Sequence, residues 1–361
     1  MLQPAITLSR RPTRRIAIGG VQIGGGAPIS VQSMTKTDTR DVQATVAQIR
    51  RLEKAGCEIV RLAVPDMDAV DALRSIRKKV RPPLIADIHF DHRLALASID
   101  LGVDGLRLNP GNIGSREKVR AVVAAAKDRN IPIRIGVNSG SIEKDIQKKH
   151  GGATAAAMVE SALRHIRILE ELDFRLIKVS LKASDVLRTL EAYRLLARSV
   201  DYPFHAGITE AGTLLPGAVK SAVGLGLLLS EGLADTVRVS LTAPPEEEVR
   251  VAYRILGSLG LRRRGPNIVA CPTCGRCEVD LRRIVAEIDK RLSRIPESPT
   301  VAVMGCMVNG PGEAKEADIG VACGRGAGVI FKGGKLIRRV PENKIGEELL
   351  KEIDDLVSIK K

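Results

Sequence analysis

Cys271-Pro-Thr-Cys274 presents two thiols from one turn, and a third, Cys306, follows in VAVMGCMVNGPGEA. Thiolates at this spacing bind metal or act as a redox pair, because the turn brings two sulfurs to one centre. Gly305, Gly310 and Gly312 let the backbone pass close to a bulky inorganic core, and Pro272 and Pro311 stiffen its flanks. Zinc asks for four closed ligands, available among Cys271, Cys274, Cys277, Cys306 and Cys323, whereas an iron-sulfur cluster tolerates a ligand other than cysteine. Spacing leaves both open. Cys277 makes the run CPTCGRC and competes on paper with Cys306. Cys306 is favoured, with Cys277 expected on the first turn of the next helix, pointing away. Cys57 and Cys323 read as buried, small apolar residues.

A second set of residues is cationic. Arg61, Asp87, His89, Arg107, Asn109, Arg134, Asn138, Lys178, Lys182, His205, Glu210, Arg238 and Ser240 stand at or just past the ends of short β-branched runs. Any one Arg or Lys there reads as a salt bridge, but several strands delivering cations to one place read as a site. Arginine forks bind phosphate oxygens in a bidentate way, so the set suits a diphosphate better than a neutral sugar or a carboxylate. Asn109, Asn138 and Ser240 can complete hydrogen bonding to esters or hydroxyls. Glu210, in GITEAG, is either a general acid or base or a neutraliser of nearby cations. His89 and His205 read more readily as supporting residues than as catalysts.

The elements that must carry these residues follow one rhythm from residue 29 to about 240: a β-branched run, a turn, then a helical pattern. The runs at 29–34, 58–63, 84–88, 105–108, 132–137, 176–181, 204–208 and 236–241 predict strands. Amphipathic stretches such as 42–55, 68–80, 116–129, 154–172, 185–200 and 245–259 predict crossover helices. Such alternation, with no GxGxxG after the first strand, predicts a (β/α)8 TIM-type barrel rather than an open doubly wound sheet. Reactive groups then lie at the strands' C-terminal ends. After Gly260 the basic connector LRRRGPNIV changes the pattern. The boundary is expected near 263, giving a barrel over 1–262 and a small α+β domain over 263–361, with strands at 267–270, 300–303 and 328–331 and helices near 279–293 and 344–357.

Composition narrows the partners. Of 361 residues, 44% are hydrophobic and 27% charged, so the chain can bury a real core; with three Tyr, four Phe and no Trp, that core is aliphatic. The scarcity of aromatics removes the usual stacking platforms for single-stranded nucleic acid. A net charge of +15 calls for an anionic partner, a nucleic acid or a phosphorylated small molecule. No apolar segment precedes a cleavage site and none spans a bilayer, so a cytoplasmic location is expected, where thiols stay reduced.

IVACPTCGR, VAVMGCMVNGPGEAKEADIG and ACGRGAGVIFKGGK, with VQSMTKTDT, GCEIVRLAVP, LIADIHF, RLNPGNIG, RIGVNSGS, KVSLKASD, GITEAG and TVRVSLT, resemble the bacterial 4-hydroxy-3-methylbut-2-enyl diphosphate synthase family over nearly the whole chain. The resemblance implies an oxidoreductase of the methylerythritol phosphate pathway that reductively opens 2-C-methyl-D-erythritol 2,4-cyclodiphosphate, with ferredoxin or flavodoxin as electron donor. It implies a 4Fe-4S cluster on Cys271, Cys274, Cys306 and Glu313. By the same resemblance Arg61, Arg107, Arg134, Asn138, Lys182 and Ser240 anchor substrate, joined by Arg238, Asp87, His89 and Asn109 from the strand ends, and Glu210 transfers a proton. It also implies a homodimer in which the cluster domain of one subunit closes the barrel of the other.

Three rivals are distinguishable. A zinc-ribbon nucleic-acid-binding protein accounts for the charge and the CxxC. A radical enzyme using S-adenosylmethionine would want CxxxCxxC, which is absent. A class I aldolase would use Lys178 or Lys182 as a Schiff base.

Overall fold

The computed structural model describes residues 8–292, 295 and 297–359. The chain forms two compact units that divide between Arg262 and Arg263. The first begins with a hairpin, β1 (Ile16–Ile18) and β2 (Val21–Ile23). At its turn Gly19 has φ +53°, and a Cβ there would stand 2.8 Å from Pro83.

Eight parallel strands follow: β3 (Ser30–Met34), β4 (Ile59–Ala63), β5 (Leu84–Asp87), β6 (Gly105–Arg107), β7 (Ile133–Asn138), β8 (Ile177–Lys182), β9 (His205–Ala206) and β10 (Thr236–Val237). Their order is β8-β7-β6-β5-β4-β3-β10-β9, and a single bridge from Val179 to Phe204 brings the two ends together. The result is a nearly closed barrel, as the alternation predicts. Aspartates cap the helices that leave the strands: Asp41, Asp66 and Asp185 accept from the N–H of Ala44, Ala69 and Arg188. Each thereby satisfies an orphan donor of a first turn.

Register decides which side chains face the barrel axis. Met34 lies opposite Arg61, Asp87 opposite Arg107, Arg107 opposite Arg134, Arg134 opposite Lys178, and Asn138 opposite Lys182. Because successive side chains alternate between faces, this set shares one face, and Val60, Leu62, Ala86, Leu106, Ile135 and Val179 take the other. Those apolar alternates belong to the large core between strands and helices. Low in the barrel, Ile59 and Ile85 pack instead against Ile16, Ile18 and Ile23 of the hairpin, which plugs the floor. Aliphatic layers usually fill such an interior; here it is given to cations.

The second unit is a five-stranded sheet in order β11 (Asn267–Ala270), β12 (Thr300–Met304), β13 (Ile319–Gly324), β14 (Ala327–Lys332) and β15 (Lys335–Pro341). The first three run parallel and the last two antiparallel. Helices Leu281–Leu292 and Ile345–Ile359 cover one face through Ile284, Ile288, Leu349 and Ile353. The short helix Gly310–Glu316 packs Ala314 on the other, against Ala302, Ala322 and Phe331.

Candidate functional site

Asp87 is the hub of the barrel interior. Its carboxylate lies 3.5 Å from Arg61 Nε, 3.4 Å from Arg107 Nη1 and 3.5 Å from His89 Nε2. Burial alone would push this carboxyl up, but Arg61, His89, Arg107 and Arg134 together outweigh burial and hold it well below the usual carboxylate range. Arg107 also meets the His89 ring at 3.1 Å and donates to Gly136 O at 3.1 Å. Asn109 grips the same backbone both ways, donating to Gly136 O and accepting from Gly136 N at 2.9 Å. Arg61 rests its Nη2 2.9 Å from the Met34 sulfur, and Arg238, just past β10 on the other side of β3, approaches that sulfur at 3.8 Å.

Cations exceed carboxylates here. Burial, then repulsion from Arg134, Arg238 and Arg61, push the Lys182 amine well below its ordinary range. Arg61 itself is lowered to about 10, chiefly by burial and then by Arg238 and Arg107, against the pull of Asp87. Guanidinium groups stay protonated, so the crowding favours binding of an anion. Of the substrate candidates, Arg61, Asp87, Arg107, Arg134, Asn138 and Lys182 share the inner face of their strands, and His89, Asn109, Arg238 and Ser240 lie just beyond β5, β6 and β10. One expectation needs correction: Arg134, Lys178 and His205 sit in the lower parts of their strands, not at the C-terminal ends, and are buried. Depth is set by strand stagger, which alternation does not reveal. Glu210 follows β9 on an exposed segment with φ +51°, a left-handed conformation that is uncommon outside glycine.

In the second unit, Cys271 and Cys306 leave the adjacent parallel strands β11 and β12, whose Ala270 and Val303 are in register. Gly305 N–H donates to Cys271 Sγ at 3.3 Å. Hydrogen bonds from Arg276 lower the Cys274 thiol, and the N–H groups of Asn309 and Val308 do the same for Cys306. Both favour the ligating thiolate. Glu313 is exposed on the first turn of the helix after Cys306. Cys277 does not lie on a helix, since the next one begins at Leu281; its thiol turns back to Val279 O at 3.3 Å and packs among apolar side chains. Cys323 is fully buried and its thiol is pushed up to about 12, mainly by burial. A lone zinc needs donors about 2.0–2.3 Å from one point, and among the described residues no three His, Cys, Asp or Glu side chains converge so. Cys271, Cys274, Cys306 and Glu313 are donors of the kind that could hold an iron-sulfur cluster, which accepts a ligand other than cysteine.

The family model of the GcpE TIM-barrel domain matches residues 13–253, and that of the GcpE protein C-terminal domain matches residues 267–355. The chain belongs to the GcpE family. A GcpE relative from Geobacter sulfurreducens, named 4-hydroxy-3-methylbut-2-en-1-yl diphosphate synthase (flavodoxin), is 59% identical over 348 residues, covering 96% of this chain and 99% of that protein. One of the same name from Dehalococcoides mccartyi is 60% identical over 349 residues, covering 97% and 100%. Among solved structures, a dihydropteroate synthase from Stenotrophomonas maltophilia superposes with a TM-score of 0.50 at 13% identity, covering 69% of this chain and 98% of that one. That likeness is one of barrel fold.

The GcpE barrel holds two residues that the reading of strand ends missed. Glu248, on helix Pro245–Ser258, is buried and accepts from Ser33 Oγ and from Leu241 N, both at 3.0 Å. Lys36 Nζ lies 2.9 Å from it and donates to Leu241 O at 2.7 Å. The signal was present: Glu248 is in step with Ala252 and Ile255 on the buried face of that helix.

Proposed function

We propose that this chain catalyses the reductive ring opening of 2-C-methyl-D-erythritol 2,4-cyclodiphosphate to 4-hydroxy-3-methylbut-2-enyl diphosphate. The reaction takes up two electrons with their protons, releases one water, and belongs to isoprenoid synthesis by the methylerythritol phosphate route. The single observation that carries the reading is the cationic barrel interior, joined to a family whose relatives bear this activity in their names. Flavodoxin is the electron donor those names print, and ferredoxin is the alternative of the same chemistry.

In this reading Arg61, Arg107, Arg134, Lys182 and Arg238 hold the diphosphate oxygens. Asp87 keeps Arg61 and Arg107 aimed while leaving net positive charge for the ligand. Asn138, Asn109 and Ser240 serve the ester and hydroxyl oxygens. Glu210, at the rim, exchanges the proton that accompanies loss of water. Cys271, Cys274, Cys306 and Glu313 would hold a 4Fe-4S cluster, which when bound supplies electrons singly and a Lewis-acidic iron. A carboxylate ligand at Glu313 leaves one position more exchangeable than a thiolate would. The first unit then binds substrate and the second carries the cluster.

We take the working form to be a cytoplasmic homodimer in which the cluster unit of one subunit caps the other's barrel. Exposed Met67, Phe90 and Leu187, on segments that follow barrel strands, and exposed Met307 and Val308 beside Cys306 supply apolar surface for that contact. No described helix is long and apolar enough to cross a membrane.

Anaerobically purified protein should be brown, contain iron and sulfide, and consume the cyclic diphosphate only when a reductant is supplied. A colourless zinc protein whose nucleic-acid affinity collapses with salt would overturn the reading. Small-angle scattering that gives a monomer with and without substrate would remove the dimer.

A further inference from the structure

Beneath the mouth, the barrel interior collects buried donors that lack acceptors. Lys178 is fully buried, and its Nζ has no hydrogen-bond partner among the described residues. Arg134, opposite it on β7, gives Nη1 to Ser180 Oγ at 2.6 Å but leaves Nε and Nη2 unpaired. Ser180 and His205 each follow one residue after the bridged pair Val179 and Phe204, so they stand opposite one another. The buried His205 meets Thr236 Oγ1 through Nδ1 at 2.5 Å and leaves Nε2 unpaired. Ser30, opposite Thr236, and Gln32, next on the same face of β3, add Oγ and both amide atoms to the unpaired set.

Buried polar groups are seldom left unmet; such a concentration marks a place for water or an ion. The character of the layer selects between them. Asp235, the carboxylate that acts on Lys178, is already occupied: Oδ1 accepts from Arg10 at 2.8 Å and from Thr13 at 3.2 Å, and Oδ2 from Phe204 N at 2.8 Å. The other charged groups that act on Lys178 are Arg134 and Arg61, both cations. Water would meet the unpaired donors but leave the guanidinium charge of Arg134 uncompensated, whereas an anion brings acceptors and compensating charge together.

We propose that Lys178 and Gln32, with the unpaired Nε and Nη2 edge of Arg134, form a binding site for a small inorganic anion, a halide or inorganic phosphate, below the diphosphate-binding mouth, Arg134 being shared between the two. The site does not depend on the reaction proposed above, since it is read from the protein's own unpaired groups. Burial, then repulsion from Arg134 and Arg61, pushes the Lys178 amine well below its ordinary range, and an anion bound beside it would favour the protonated form.

The test uses the full chain in bromide, in phosphate, or in gluconate, a bulkier organic anion that serves as the reference, at constant ionic strength. Bromide or phosphate should raise Tm over gluconate, and whichever does so identifies the source. Anomalous diffraction from crystals in bromide should place an ion against Lys178 Nζ. Lys178→Met, which removes the buried, unpaired amine, should be at least as stable as wild type in gluconate and should lose the anion-dependent rise. The proposal is overturned if neither anion raises Tm, if wild type and Lys178→Met rise equally, or if bromide sits only at exposed arginines. Loss of turnover has no bearing on these readouts.

Discussion

Gly305 lies against the sulfur of Cys277: a β-carbon built on its backbone would stand 2.5 Å from that Sγ and 3.2 Å from the Sγ of Cys271. The two thiols therefore flank one glycine, and the space beside it is what a ligating turn requires. Gly305→Ala should displace Cys277, crowd Cys271 and lower iron affinity about tenfold or more, as disturbed supports of metal ligands do. Iron and sulfide analysis after anaerobic reconstitution checks this, and full loading of the variant would count against it.

Cys277 and Cys306 should respond differently to substitution. Cys277→Ser keeps the hydrogen bond to Val279 O and should retain its iron and its brown colour, whereas Cys306→Ser should lose them. Absorption spectra of the two proteins prepared side by side decide the matter, and a colourless Cys277→Ser would reassign the third thiolate.

Asp87 gives a pH signature with a definite sign. Its folded-state pKa lies below the unfolded value of about 3.9, so its stabilisation is fully present above about pH 4 and is lost as pH falls toward the folded value. Asp87→Asn leaves Arg61 and Arg107 buried without their carboxylate and should cost about 3 kcal/mol near neutrality. The gap in urea midpoint between variant and wild type should narrow below about pH 4. A gap that is constant with pH would show that the carboxylate's charge is not the cause.

Glu210→Gln should reduce kcat while leaving KM for the cyclic diphosphate within about twofold, because the exposed side chain, past the end of β9, is assigned the proton and not the diphosphate. A rise in KM with kcat unchanged would make Glu210 a binding residue instead.

The barrel strands were legible because β-branched runs alternate with amphipathic helices, and period-two alternation put Arg61, Asp87, Arg107 and Lys182 on one face. Helix Leu214–Ser230 was not, since Leu, Val and Gly run around most of its circumference and leave little amphipathic contrast. Strand β15 escaped because KLIRRVP is an exposed edge with no apolar face to mark it. The hairpin was in plain view as IAI-GG-VQI, a two-glycine turn between alternating runs. Glu313 had no spacing signal; only resemblance named it. The depth of Arg134 and Lys178 depends on stagger between strands, a property of the closed sheet and not of any one segment.

The floor formed by Ile16, Ile18, Ile23, Ile59 and Ile85 makes the barrel a blind vessel with one doorway. Whatever enters must leave by the way it came, so a departing diphosphate and an arriving one contend for the same passage. Turnover is then a matter of traffic, and leftover product obstructs the enzyme simply by standing in the door.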